Sequence, residues 1–294
     1  MREKIAGLFW PITAPITFIQ NHFKASLLIV ILLSFMSSDT GEVTPYNNLH
    51  KIVLSGPIFD SEKFLEELEK AQSDNVKGLL VVVNSPGGLV PPSIEMMLAI
   101  KEYAQSRPVV VYASGLLASG SYYASIGASE IIANPGSMVG SIGVIFQTMN
   151  VESLMQKVGV TPRVVKSGEY KEIGAMYRAW EPHEQQALEK LSTDTYNMFV
   201  KDVSTARGLK IEDAPNFANG RVFLAQEAKT LGLIDEVGNI RFARERIMEL
   251  AEVKNPIWNK KSDFDKLMER LNAEVSMSLS TVIQNLLTSL ALYR

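Results

Sequence analysis

Two continuously apolar stretches constrain the fold of this chain more than any other feature of its sequence. Gly78–Asn84 reads GLLVVVN and Pro108–Tyr112 reads PVVVY. Short apolar runs without polar alternation are typical of strands that are buried on both faces of a sheet. Helical segments are predicted over Ser61–Ser73, with Ser61 as the N-cap, and over Ser93–Ser106. This alternation of strands and helices predicts an α/β fold built from βαβ units, with a parallel sheet.

The remaining pattern continues the same alternation. It predicts three further strands and four further helices: strands at Lys51–Ile58, Ile131–Ala133 and Val144–Phe146, and helices from about Ala118, over Glu181–Arg207, over Ala225–Leu231 and over Ile240–Ala251. In such folds the reactive groups collect at the carboxyl ends of the strands.

Targeting signals divide the chain into three parts. Basic Arg2, Lys4 and Lys24 precede the apolar run Ala25–Ser38, which is shorter than the roughly 20 residues of a typical spanning helix. We interpret it as an uncleaved membrane anchor, with a cleaved signal peptide as the alternative. Both interpretations place the residues after 40 on the outer side. The predicted location is therefore the inner membrane, single-pass, with the domain that follows residue 40 on the periplasmic side.

The predicted division is an anchor and linker over residues 1–43, the main folded domain over 44–255 and an amphipathic helical tail over 256–294. The tail repeats apolar residues at helical spacing, from Phe264 to Leu290. This pattern fits a helix packed on its own domain, a subunit-contact helix or a membrane-surface helix.

Composition excludes several kinds of chemistry. The chain has no cysteine, which removes thiol nucleophiles and thiolate metal sites. Its net charge of −3 and the lack of a basic stripe argue against nucleic-acid binding. His183 begins HEQQA, but Ala187 stands where a zinc protease has its second ligand. No metal or cofactor is expected, and a histidine-dependent hydrolase is not supported.

Serine chemistry with a lysine base remains. Ser119 follows a buried strand and precedes a helix, so its hydroxyl is expected at the sheet edge. The N–H groups of Gly120 and of the Gly87–Gly88 pair could form an oxyanion hole there. Lys171 is the candidate base, because lysine accepts a proton when burial favours its neutral form.

Four motifs in this order resemble the signal peptide peptidase family, also called protease IV, in its short single-unit form. They are NSPGG, ASGSYYAS, GSIGVI and KSGEYKEI, beginning at residues 84, 118, 140 and 166. The resemblance implies a Clp-protease/crotonase-like fold with Ser119 as nucleophile and Lys171 as general base. It also implies that Ser141 orients the lysine and that Gly88 and Gly120 form the oxyanion hole.

The same resemblance implies a homo-oligomeric ring, with a dyad that can form across a subunit boundary. One position departs from the family pattern, because Ser121 stands where a second glycine is usual. The predicted function is a membrane-anchored serine endopeptidase that degrades hydrophobic peptides such as cleaved signal peptides. The alternatives are a catalytically silent peptide-binding scaffold and a crotonase-like acyl-CoA enzyme.

Overall fold

A mostly parallel sheet organises residues 47–74 and 76–259, the part of the chain that the computed structural model describes. Strands β1 to β4 and β7 lie side by side in the order β1-β2-β3-β4-β7, and every pairing among them is parallel. The predicted α/β class with a parallel sheet is therefore confirmed. In chain order the strands are β1 (Leu49–Ser55), β2 (Gly78–Ser85), β3 (Val109–Ala118), β4 (Glu130–Ala133), β5 (Met138–Gly140), β6 (Val222–Leu224) and β7 (Glu236–Val237).

Helices connect these strands and cover the sheet. The longest, α5, has 26 residues, and a 3₁₀ turn at Ile211–Asp213 precedes α6. The helices are α1 (Glu62–Ser73), α2 (Val90–Ala104), α3 (Gly120–Ser125), α4 (Glu152–Lys157), α5 (Pro182–Arg207), α6 (Ala214–Phe217), α7 (Ala225–Thr230) and α8 (Ile240–Leu250).

Apolar side chains pack on both faces of the sheet, as the continuous apolar strands predict. On β2, Leu79 and Val81 belong to the larger core cluster, which includes residues of α1, α2 and α5. Leu80 between them belongs to a second cluster, which includes Ala243 and Ile247 of α8. Successive side chains of a strand point to opposite faces, so the GLLVVVN run fills both layers.

Strand β3 changes partners along its length, and this change brings its carboxyl end to the site. Its first half pairs with β4, whereas Leu116–Ala118 pair with β5. The pairing with β2 is interrupted between Val83 and Ser85. There the Asn84 side-chain oxygen accepts a hydrogen bond from the Leu116 backbone N–H at 2.9 Å. Strand β6 then pairs antiparallel with β5.

Three predictions about local structure are wrong. Val144–Phe146 is not a strand, because the chain leaves the sheet after β5 ends at Gly140. Ser61 occupies the N-cap of α1, but its side chain makes no capping hydrogen bond. Helix α2 begins at Val90 rather than Ser93, because its two prolines stand in the first turn, where proline is tolerated.

The predicted anchor, Ala25–Ser38, and residues 260–294 of the predicted tail lie outside the described residues. Within residues 47–74 and 76–259, no helix is both long enough and apolar enough to cross a bilayer. Trp258 forms a parallel bridge with Leu49, and the Asn259 side chain bonds to the Lys51 backbone. The segment up to residue 259 therefore still packs against β1.

Candidate active site

Ser119 lies at the junction of β3 and α3, in a backbone conformation that few residues adopt. It is the N-cap of α3, with φ 53° and ψ −123°. A positive φ is uncommon for a residue with a side chain and costs about 1–3 kcal/mol. Such strain persists only where the surroundings enforce it. The sequence prediction of a serine at a strand-to-helix turn therefore agrees with the local geometry.

Buried hydrogen bonds enforce this turn. The Ser119 N–H donates to the Gly140 carbonyl at 2.8 Å, and the Tyr123 N–H donates to the Ser119 carbonyl at 2.9 Å. The Ser121 hydroxyl accepts from the Ala118 N–H at 2.9 Å and lies 2.8 Å from the Ser85 carbonyl. Ser121 is fully buried. Its hydroxyl thus ties the end of β3 to the end of β2.

Gly88 and Gly120 lie against each other beside the serine. A Cβ added at Gly120 would be 3.1 Å from the Gly88 nitrogen and 2.3 Å from the Ser93 hydroxyl oxygen. A Cβ at Gly87 would be 2.4 Å from the Gly120 nitrogen. Among the described residues, neither the Gly88 nor the Gly120 N–H donates a hydrogen bond. Two free backbone donors therefore lie close together next to Ser119.

A short bridge holds the Gly88 loop in place. Gly88 pairs in parallel with Ile58. The Ile58 N–H donates to the Gly87 carbonyl at 2.9 Å, and the Leu89 N–H donates to the Ile58 carbonyl at 2.8 Å. A Cβ at Gly88 would lie 2.0 Å from that carbonyl oxygen, so only glycine fits this position.

Lys171 lies in a different part of the molecule, the segment of residues 144–181, which we call the base segment. Its only regular element is α4, and Lys171 is exposed. Lys171 lines a cleft of about 720 Å³ together with Lys166, Glu172 and other residues of the base segment, and Ser119 is not part of that lining. Within the described residues, no hydrogen bond joins Lys171 to Ser119.

Ser141 lies near the serine but not in contact with the lysine. It follows Gly140, has φ 51°, and its N–H donates to the Arg221 carbonyl at 2.7 Å. Its hydroxyl makes no hydrogen bond to any described residue. The structure therefore brings Ser119, Gly88 and Gly120 together, with Ser141 adjacent in the chain to Gly140. Among the described residues it shows no hydrogen bond from the Lys171 side chain to Ser119 or Ser141, and neither serine lines the Lys171 cleft. The roles of all five residues stay predictions.

The base segment exposes an unusual number of apolar side chains. Ile145 is 83% exposed, and Val165 is completely exposed. A concentration of exposed apolar side chains in one segment favours an interaction surface. The other exposed apolar residues of the base segment are Phe146, Met149, Leu154, Val158, Val160, Val164, Tyr170 and Met176.

Sequence reasoning missed two structural features of the site. Ser121 was noted only as a departure from the family pattern, although its hydroxyl links two strand ends. The turn at residues 168–172 carries Lys171, and we call it the lysine turn. The bidentate pair of Arg178 and Glu184 beside it was not anticipated. A Glu three residues after Glu181 at a helix start was the available signal, since this spacing favours a capping box.

Comparison with known proteins identifies the family. The family profile described as Peptidase family S49 matches residues 101–254. The chain belongs to peptidase family S49. The predicted family, and with it the enzyme class of a serine peptidase, is confirmed.

Named relatives agree with this assignment. A putative protease of Methanocaldococcus jannaschii is 43% identical over 65% of this chain and 61% of its own length. A putative protease of Synechocystis is 40% identical over 64% of this chain and 68% of its own length. A putative signal peptide peptidase of Enterococcus faecium is 32% identical over 72% of this chain and 60% of its own length. The chain thus matches about three fifths to two thirds of these proteins.

Solved structures show more distant similarity. A mutant of the membrane-bound stomatin-specific protease 1510-N matches with a TM-score of 0.43 and 19% identity, over 69% of this chain and 85% of that one. A ClpP1 mutant from Listeria monocytogenes matches with a TM-score of 0.45 and 16% identity, over 66% of this chain and 93% of that one. The more specific Clp-protease/crotonase-like assignment therefore stays a prediction, while the parallel α/β sheet is seen directly.

Proposed function

We propose that this chain is an active serine endopeptidase that cleaves hydrophobic peptides with Ser119 as nucleophile and Lys171 as general base. The observation that carries the proposal is the strained Ser119 turn beside two free backbone N–H groups. Backbone donors that point to one place stabilise the negative oxygen of a tetrahedral intermediate, and each is worth about 10²–10³ in rate.

The reaction proceeds through an acyl-enzyme. Neutral Lys171 takes the proton of the Ser119 hydroxyl as the oxygen attacks the peptide carbonyl. The carbonyl oxygen becomes an oxyanion that accepts hydrogen bonds from the Gly88 and Gly120 N–H groups. Lys171 then returns the proton to the leaving amine, and the carbon–nitrogen bond breaks. Water hydrolyses the ester in the same way, with Lys171 again accepting the proton.

The base comes from another copy of the chain. Lysine acts as a base when burial disfavours its charged form, but Lys171 is exposed in the single chain. The apolar side chains of the base segment need a surface to cover them. A neighbouring copy in a ring meets both requirements, because it buries these side chains and brings Lys171 to its own Ser119.

Hydrophobic peptides, including cleaved signal peptides, are the proposed substrates. Phe59 and Leu89, one on each side of the Ile58–Gly88 bridge, are 71% and 53% exposed. These side chains offer apolar contacts to a peptide whose carbonyl lies at the Gly88 N–H. An N-terminal anchor at Ala25–Ser38 would hold the domain on the periplasmic side of the inner membrane, close to such peptides.

The test is a cleavage assay of the full chain, purified in detergent, with a hydrophobic fluorogenic peptide. We expect Ser119→Ala and Lys171→Ala each to lose at least about 10⁴-fold in kcat/KM. The wild-type rate should rise with pH as the base loses its proton.

Other outcomes would revise the proposal in specific ways. A Lys171→Ala variant that keeps most of its activity would show that another group is the base. An inert but assembled wild type would favour the catalytically silent scaffold. Turnover of an acyl-CoA without peptide cleavage would favour the crotonase-like enzyme.

A further inference from the structure

Arg178 connects the lysine turn to the long helix α5. Its guanidinium donates to both carboxylate oxygens of Glu184 at 2.7 Å each and to Glu172 at 3.3 Å. A bidentate contact of this kind fixes both partners in distance and orientation. Arg178 is therefore a junction between Glu172, the residue after Lys171, and Glu184 in the first turn of α5.

Glu184 is the fixed end of this connection. Its side chain is only 1% exposed. It also accepts a hydrogen bond from the Glu181 N–H at 2.9 Å, as part of a capping box at the start of α5. The hydrogen bonds from Arg178 and from the Glu181 backbone lower the pKa of Glu184 to about 2. This carboxylate is ionised and held by a rigid helix throughout the neutral range.

Glu172 is the other end of this connection, and its carboxylate is already paired with several groups. Its carboxylate accepts from the Tyr177 hydroxyl at 2.7 Å and pairs with Lys166 at 3.1 Å, in addition to Arg178. The hydrogen bond from Tyr177, followed by that from Lys166, lowers the pKa of Glu172. A carboxylate beside a lysine favours the charged ammonium, and the carboxylate of Glu172 has three other partners among the described residues.

The other charged groups near Lys171 are few. Lys166, Glu172 and Tyr177 share its cleft. Glu169 lies 3.7 Å from the Nε2 of His183 on α5. Of the two nearest carboxylates in the chain, Glu172 is the one that Arg178 holds.

We propose that Arg178 is a positioning residue for Lys171: it ties the turn that carries Lys171 to α5 and, together with Tyr177 and Lys166, neutralises the Glu172 carboxylate beside the ammonium. This inference rests on the proposed role of Lys171 as the base. The function of Arg178 is therefore to keep a base available at neutral pH, and it does not itself contact the substrate.

The test is the pH dependence of kcat/KM for the assembled full chain with the fluorogenic peptide. We expect Arg178→Gln to move the rising limb of the pH–rate profile to higher pH by about one unit. Of its partners among the described residues, Glu172 then keeps only Tyr177 and Lys166, so its negative charge beside Lys171 is less well neutralised and favours the charged ammonium. The rate at neutral pH should fall about tenfold. Adding Glu172→Gln to Arg178→Gln should return the limb towards its wild-type position.

A matched control comes from an exposed ion pair on the same helix. Lys190 pairs with Asp194 at 2.6 Å on the surface of α5, and Lys190→Gln should leave the limb unmoved. Since Arg178→Gln leaves a buried carboxylate without its partner, the double variant Arg178→Gln/Glu184→Gln is measured as well. It removes the unpaired charge, and it should still show the shifted limb.

The outcomes separate this inference from the proposed function. Suppose that wild-type activity depends on Ser119 and Lys171 but the rising limb of the pH–rate profile stays in place in Arg178→Gln and in Arg178→Gln/Glu184→Gln. The positioning role is then wrong, and the proposed function stands. A loss of activity with an unmoved limb would assign Arg178 a purely structural role. If Lys171→Ala retains activity, the proposed function itself fails first.

Discussion

The two halves of the proposed dyad are built in opposite ways. Ser119 lies at the end of a buried strand, and β2, β5 and α3 all fix its position. Lys171 lies in the base segment, where the one short helix, α4, buries none of its residues. The proposed nucleophile and the two proposed oxyanion-hole donors lie together in one chain, whereas no hydrogen bond among the described residues joins the proposed base to Ser119.

This difference teaches where each part obtains its order. The serine turn is enforced by the core of its own domain, so its geometry follows from folding alone. The base segment has internal ties, such as the Arg178–Glu184 pair, but exposes its apolar side chains. We infer that folding provides the nucleophile and that assembly provides the base.

The largest expected effect comes from preventing assembly. Placing Asp at both Ile145 and Val165 puts charges on the exposed apolar surface, where burial against a neighbour would be costly. We expect a folded monomer with at least about 10⁴-fold lower activity, as for Lys171→Ala, because the neighbour's base is then missing. Sedimentation measures the oligomeric state, circular dichroism measures folding, and the peptide assay measures activity.

A control substitution tests the specificity of that effect. Leu191 is exposed on α5, outside the base segment, and Leu191→Asp should leave both assembly and activity intact. If the Ile145→Asp/Val165→Asp variant is a monomer that cleaves at the wild-type rate, assembly does not provide the base.

A second prediction concerns the oxyanion hole. Gly88→Ala places a methyl group 2.0 Å from the Ile58 carbonyl oxygen, so the loop must move and its N–H is lost to the intermediate. We expect kcat to fall about 10²–10³-fold and the free energy of unfolding to fall by about 1–3 kcal/mol. Steady-state or stopped-flow kinetics measure kcat, and chemical unfolding measures the free energy of unfolding. Unchanged kcat would show that Gly88 is not a donor to the oxyanion.

The sequence predicted the local structure around Ser119 well. Continuous apolar runs identified the buried strands, and a Ser-Gly step after β3 located the turn. The sequence also predicted that Gly88 and Gly120 come together. The interruption of the β2–β3 pairing between Val83 and Ser85 could not be predicted, because it depends on tertiary structure.

The base half was predicted less well. Val144–Phe146 is apolar enough for a strand, but periodicity alone does not tell a strand from an apolar segment that is exposed in the single chain. Lys171 was identified by its motif, and neither spacing nor composition indicates which surface it faces. The partners of Arg178 also depend on tertiary structure, since a charged residue in a loop has no periodic signal.

A third prediction is smaller and concerns Ser121. Ser121→Ala leaves the Ala118 N–H and the Ser85 carbonyl without the hydroxyl that joins them. We expect the free energy of unfolding to fall by about 1–3 kcal/mol, the cost of unsatisfied buried polar groups. Chemical unfolding measures the change. Ser73→Ala, in which an exposed hydroxyl near the end of α1 is lost, should change stability by less than about 0.5 kcal/mol. Equal effects of the two variants would contradict the bridging role.

The smallest expected effect is a pH dependence of stability that arises from His50. His50 is fully buried in β1, and burial lowers its pKa despite the hydrogen bond with Glu67. The unfolded chain therefore binds a proton at a higher pH than the folded chain does. Stability should be complete above about pH 6.5 and decrease as the pH falls below it. Urea unfolding of wild type and His50→Leu checks this: the decrease between pH 6.5 and 5 should be shallower in the variant, and identical slopes would contradict it.

Mixing two inactive variants tests most directly whether the base comes from another copy. Full-length Ser119→Ala and Lys171→Ala chains are purified, dissociated, combined in equal amounts, reassembled and assayed on the fluorogenic peptide. If Ser119 of one copy meets Lys171 of the next, random mixing leaves about a quarter of the interfaces with both residues intact. Activity near that fraction of wild type is the predicted result. Activity no higher than that of either variant alone would show that the dyad forms within a single chain or does not form at all.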